Sequence, residues 1–150
     1  MRAALLAAAL LVTTAAPASA ADTDYLIWDS DRDAITDGRW GTWAPPEVFS
    51  VWQHPGNMIR VKANSPDWNE YLQIELTRHD GQRITEGDYT DQKVLVVNRG
   101  LGRLDEGGEF TVEHIAWDQD GQITEFDGAV EHHASTKPDT TFRAKLHYRR

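Results

Sequence analysis

The sequence predicts an all-β fold, an antiparallel β-sandwich with a jelly-roll arrangement or a small barrel as alternatives. Three observations point there. About nine short runs of alternating or continuous apolar residues are separated by turn signals every ~8 to 12 residues. Outside the extreme N-terminus, no stretch of useful length repeats its apolar positions every ~3.6 residues, as an amphipathic helix would. Residues 109–148 read as a three-stranded antiparallel meander. In it Asp120-Gly121 predicts a type I′ hairpin turn, because both central residues of that turn need positive φ and glycine accepts it without steric cost. Pairing back from the turn sets Trp117 opposite Thr124 and Ile115 opposite Phe126. Val112 and Phe110 stay on that face only if one extra residue, a β-bulge, sits near Glu113-His114. Val112 then meets Gly128, Phe110 meets Val130, and the third strand supplies Phe142, Ala144, Leu146 and Tyr148 at period two.

Residues 1–20 read as a signal peptide. Arg2 gives a basic start, residues 3–12 form an apolar run well short of the ~20 residues that span a bilayer, and Ala18-Ser19-Ala20 is a small-residue cleavage site. The expectation is an exported protein, extracellular or periplasmic, with one domain over residues 21–150. The chain has no cysteine, so its core must hold without the disulfides that an oxidising compartment permits. Its net charge is −9, and one unit more negative once Arg2 leaves with the leader. Nucleic acid and anionic lipid both reward a basic surface, so neither is an expected partner. No second apolar segment predicts membrane insertion.

In chain order, residues 25–28 form a short strand that runs into an acidic loop with Asp29, Asp31, Asp33 and Asp37. Trp40 and Trp43 follow, and Pro45-Pro46 stops pairing because proline has no ladder donor. Residues 48–53 alternate over two apolar faces, His54-Pro55-Gly56-Asn57 is a turn, and residues 58–63 complete a hairpin. Leu72, Ile74 and Leu76 face inward on the next strand, which Asp80-Gly81 closes. A short strand over residues 88–90 precedes the apolar run 94–97, which predicts a strand buried on both sides. Four glycines among residues 98–108 predict a loop before the meander. The segments after Asp80-Gly81 and Asp120-Gly121 are alike, which turn chemistry alone explains.

The meander resembles the C-terminal part of a family of uncharacterised secreted bacterial β-sandwich domains. The matching residues here are Gly108, Phe110, Thr111, Val112, Ile115, Trp117, Asp118, Gly121, Phe126, Glu131, His133, Phe142, Arg143, Leu146 and Tyr148. Upstream, Gly87-Asp88-Tyr89-Thr90 and the stretch holding Ser30, Asp31, Asp33, Ile35 and Gly38 are similar to family segments. The resemblance implies a sandwich and an exported location, but no activity. It also implies a disulfide in the relatives where this chain has Leu101 and Ala134, and therefore an apolar contact between those two residues here.

Candidate sites follow from residue chemistry. Asp29, Asp31, Asp33 and Asp37 have the alternating carboxylate spacing that wraps oxygen ligands around Ca²⁺, but the EF-hand glycine is missing and Trp40 stands where its bidentate glutamate would be. Ca²⁺ is the one candidate ion, and no other cofactor is expected. Six tryptophans are many for this length; Trp40, Trp43, Trp52 and Trp68 lie near turns or strand ends, where rings can stack on sugars or cap a core. His132 and His133 are adjacent in a strand, so they face opposite ways and cannot share a metal. No nucleophile elbow, metalloprotease helix, phosphate loop or cysteine nucleophile occurs. Carboxylates are plentiful, yet Glu70, Glu75 and Glu131 have no special claim. The expectation is a non-catalytic binding or envelope-associated module, with carbohydrate as first candidate ligand. A small glycoside hydrolase using paired carboxylates, or a structural or inhibitory domain binding an extracellular protein, is the alternative.

Overall fold

The computed structural model describes residues 23–31, 35–36, 38–134 and 137–150, with the backbone alone at 134 and 137–139. The expected leader lies outside them, as do Asp33 and Asp37. The described residues form nine strands: β1 (Tyr25–Ser30), β2 (Trp40–Trp43), β3 (Val48–Gln53), β4 (Ile59–Asn64), β5 (Tyr71–Thr77), β6 (Gly87–Asn98), β7 (Leu101–Trp117), β8 (Ile123–Ala134) and β9 (Lys137–Arg149). No helix occurs among the described residues.

All nine strands belong to one sheet, ordered β2-β1-β9-β8-β7-β6-β5-β4-β3, with every neighbour antiparallel. The run from β3 to β9 is a plain meander, and β1 returns to the open side of β9 with β2 beyond it. The expected sandwich of two sheets is therefore replaced by one continuous ladder. Its two edges, β2 and β3, follow each other in the chain across residues 44–47, so the sheet has to curl to bring them near each other. Across the curl β3 lies against β8 and β9. Long strands make this closure possible. Right-handed twist accumulates along β6 to β9, and register shifts at Tyr89/Gln92, Gln92/Val94 and Val112/His114 bend them further.

The meander pairs largely as the alternation requires. Phe110 stands opposite Val130, Val112 opposite Gly128 and Ile115 opposite Phe126, and Glu113 is the extra residue of the bulge. Gly128 makes room there, since a Cβ at that position would lie 2.7 Å from the Thr111 carbonyl and 2.9 Å from the Phe126 ring. Phe142, Ala144, Leu146 and Tyr148 are all buried.

Two turn assignments change. At Asp118–Gln122 only Gly121 has positive φ, and the Asp118 carbonyl accepts from the Gly121 amide at 3.1 Å. This is a longer turn ending in a left-handed glycine, in place of type I′, and it shifts Trp117 opposite Ile123 instead of Thr124. The two-residue turn with positive φ at both positions is Arg99-Gly100, joining Asn98 directly to Leu101. That turn pulls residues 101–108, expected as loop, into β7. The apolar run 94–97 is likewise part of one long strand, with Val94 and Val96 buried and Leu95 and Val97 half-buried on the outer face.

The inner face is filled. Leu26, Val61, Ile74, Leu76, Phe126 and Leu146 leave a cavity of about 10 Å³ between them, at the lower limit of what one water occupies. His132 is also fully buried, with Nε2 3.1 Å from the Arg103 carbonyl and the Phe142 ring edge-on to it. Ala134's side chain is outside the described residues, so its expected contact with Leu101 is too; Leu101 itself is 55% exposed.

Candidate functional site

The four residues of β2, Trp-Gly-Thr-Trp, form a strand that the sequence did not reveal. It pairs with β1 so that Trp43 stands opposite Leu26, Gly41 opposite Trp28 and Trp40 opposite Asp29. Residues three apart in a strand face opposite ways. Trp43 therefore packs against the core while Trp40 stands out, 79% exposed, so of this pair one ring caps the core and the other is open to stacking. Because β2 is an edge strand, side chains of both its faces can border one depression.

That depression, about 120 Å³, is bordered by Trp28, Arg39, Trp40, Trp43, Glu70 and Arg99. Arg99 comes from the tight β6–β7 turn and forms an ion pair with Glu70 at the start of β5. Both side chains are about half exposed, at 50% and 51%. Below them Asn98 Nδ2 donates to the Ile35 carbonyl at 3.1 Å, fastening the β1–β2 connection over this end of the sheet. Trp28 forms the inner wall. Its ring stacks on Phe142 at 6.2 Å and lies so close over Gly41 that a Cβ there would come within 2.8 Å of it. Its indole Nε1 is buried, and among the described residues it has no hydrogen-bond acceptor. A buried donor left unmatched costs ~1–3 kcal/mol.

The other expected site residues divide. Trp68 sits in the β4–β5 turn with φ 62°, a left-handed backbone unusual for a bulky residue, and is 64% exposed. The turn is held by Asp67, whose carboxylate accepts from Ser65 Oγ at 2.5 Å and from Asn69 Nδ2 at 2.6 Å. Those bonds, the one from Ser65 first, hold the Asp67 carboxyl below its ordinary value. The turn leads straight to Glu70, so Trp68 stands two residues from the depression's rim. Trp52 lies elsewhere, on the outer face of β3, with the Arg60 guanidinium 5.7 Å from its ring and its Nε1 donating to His54.

The acidic loop is not assembled as an ion cage where it is described. Arg143 Nη1 lies 3.5 Å from Asp31 and 3.9 Å from Asp29, placing a guanidinium between the two carboxylates. Among the described residues no three His, Asp or Glu side chains gather as metal ligands. Arg39, Glu70 and Arg99 were missed as site residues. A hint was present in Arg99-Gly100, where an arginine beside a turn glycine projects from a sheet end, but its partner Glu70 is 29 residues away.

A second concavity, about 520 Å³, lies on the outer face of β1, β9, β8, β7 and β6. Beside it a polar ladder runs along β9. His147 Nδ1 is 2.5 Å from Asp127, and Arg149 Nη2 is 2.6 Å from the other Asp127 oxygen. Partial burial works against ionising Asp127, but the hydrogen bonds and charges of Arg149 and His147 outweigh it and hold the carboxyl below its ordinary value. No family model, curated protein or solved structure matches the chain.

Proposed function

We propose that the protein is an exported, non-catalytic binding module that takes a carbohydrate at the depression bordered by Trp28, Trp40 and Trp43. The observation that carries this reading is a depression rimmed by an exposed indole ring, that of Trp40, and by the exposed Arg99–Glu70 pair. A sugar offers what each of these lacks. Its C–H face stacks on a ring such as Trp40, and its hydroxyls bond both to the guanidinium and to the carboxylate.

The test is tryptophan fluorescence titration with soluble oligosaccharides from cellulose, chitin, xylan and peptidoglycan. The expected result is saturable quenching or blue shift with at least one of them, weakened tenfold or more in Trp40→Ala. A flat response to all four overturns the reading.

A further inference from the structure

The 520 Å³ concavity on the outer face is a trough built by register alone. Ile27, Lys145, Ala129, Thr111 and Asp88 stand in one cross-strand row, each directly opposite the next. Asp29, Arg143, Glu131 and Glu109 form the next row. Their floor is low at Ala129, where only a methyl group stands.

The charges along these rows are unevenly matched. Arg143 is committed, with Nε 3.2 Å from Glu131 and Nη1 on Asp31 and Asp29. Glu131 also has His133 Nε2 at 3.3 Å. Glu109 stands directly opposite Glu131, a like-charge arrangement that costs stability, and no cation lies against it among the described residues. Asp88, at the end of the row, accepts from Thr111 Oγ1 at 2.8 Å and likewise has no cation. At the other end Lys145 is 56% exposed and touches Glu113 only at 3.9 Å. One wall thus holds two carboxylates without a counter-charge and the other holds a loosely paired ammonium. Lys145 and Asp88 stand three strand spacings apart, about 14 Å at the backbone.

We propose that this trough is a second binding site, for a short zwitterionic peptide laid across the strands. The peptide's α-ammonium sits between Asp88 and Glu109, and its α-carboxylate sits on Lys145. An extended chain covers about 3.3–3.6 Å per residue, so three or four residues bridge the gap. Ala129 and Thr111 leave space for the peptide backbone, and Ile27, 49% exposed, offers an apolar contact beside the carboxylate end. Such a ligand places a positive charge on Glu109, against which no cation lies among the described residues. The site does not depend on the Trp28 depression and uses none of its residues.

Isothermal titration of the full chain with trialanine and tetra-alanine, each free, N-acetylated or C-amidated, tests this at low ionic strength. The expected result is saturable binding of a free peptide and at least a tenfold loss on capping either end. In Lys145→Met the free and amidated peptides should bind alike, while acetylation still weakens binding. In Glu109→Gln and Asp88→Asn the penalty for acetylation should shrink instead. These side chains are exposed, and matching thermal melts establish that each variant is folded; should one fail to fold, the capping series on the unmodified chain and the remaining variant decide. Absence of binding at millimolar peptide, or equal affinity for free and doubly capped peptides, overturns the proposal.

Discussion

Strand β9 serves two surfaces that differ in almost every physical respect. Phe142, Ala144, Leu146 and Tyr148 point inward and are at most 8% exposed, and the cavity that Ala144 and Leu146 border is only about 10 Å³. Arg143 and Lys145, one residue out of step, point outward into a trough of about 520 Å³ with side chains 46% and 56% exposed. Backbone, ladder and neighbours are the same on both sides. The inner face therefore carries the stability, because apolar area leaves water there and close packing punishes any change of volume. The outer face can carry charges at little structural cost, because they remain hydrated whether or not they are paired.

The comparison breaks most visibly at Phe142. Its ring is fully buried, so Phe142→Ala should cost about 3–5 kcal/mol in urea denaturation; a loss below ~1 kcal/mol would mean that the inner face is not the core. The converse change, adding volume, tests the same face from the other direction. Gly128→Ala puts a methyl 2.7 Å from the Thr111 carbonyl, and a loss of about 1–3 kcal/mol is expected from the forced shift.

Asp127 lies between the two extremes, partly covered and doubly bonded. Its carboxyl is held below the ordinary value of 3.8 in the fold. The contribution it makes is complete above that value and fades as pH falls through the lower folded one. Denaturation midpoints measured from pH 6 down to pH 2 should therefore fall, and Asp127→Asn should flatten that fall while costing about 1–2 kcal/mol near pH 7. An unaltered pH profile in the variant would show that Arg149 and His147 do not stabilise the carboxylate. The smallest effect belongs to the open face. Arg143→Met should change stability by no more than ~1 kcal/mol despite its contacts to Glu131 and Asp31. A larger loss in a thermal melt would sharpen the contrast into a structural role for this guanidinium.

Much of the fold was legible locally. The bulge at Glu113, the pairings of Phe110, Val112 and Ile115, and the inward set on β5 and β9 all come from period-two alternation with one residue inserted. Residues 98–108 misled because glycine content suggests a loop, whereas a turn with positive φ at Arg99 and Gly100 makes the same residues a strand. β2 was invisible because four residues are too few to show a period. For the candidate sites, the exposed Trp40 and Trp68 could be named in advance, but neither Trp28's unmatched N–H nor the pairing of Arg99 with Glu70 could.

The amino-acid order by itself determined which side of each long strand is oily, where the chain turns through glycine, and that no helix competes; these are properties of a few consecutive residues and their φ, ψ and side-chain alternation. Only the tertiary structure decided that one ladder replaces two sheets, that β2 brings its rings to the turns carrying Glu70 and Arg99, and that Glu109 stands opposite Glu131. Such neighbours are set by the twist and register summed over all nine strands, and no single segment contains that sum.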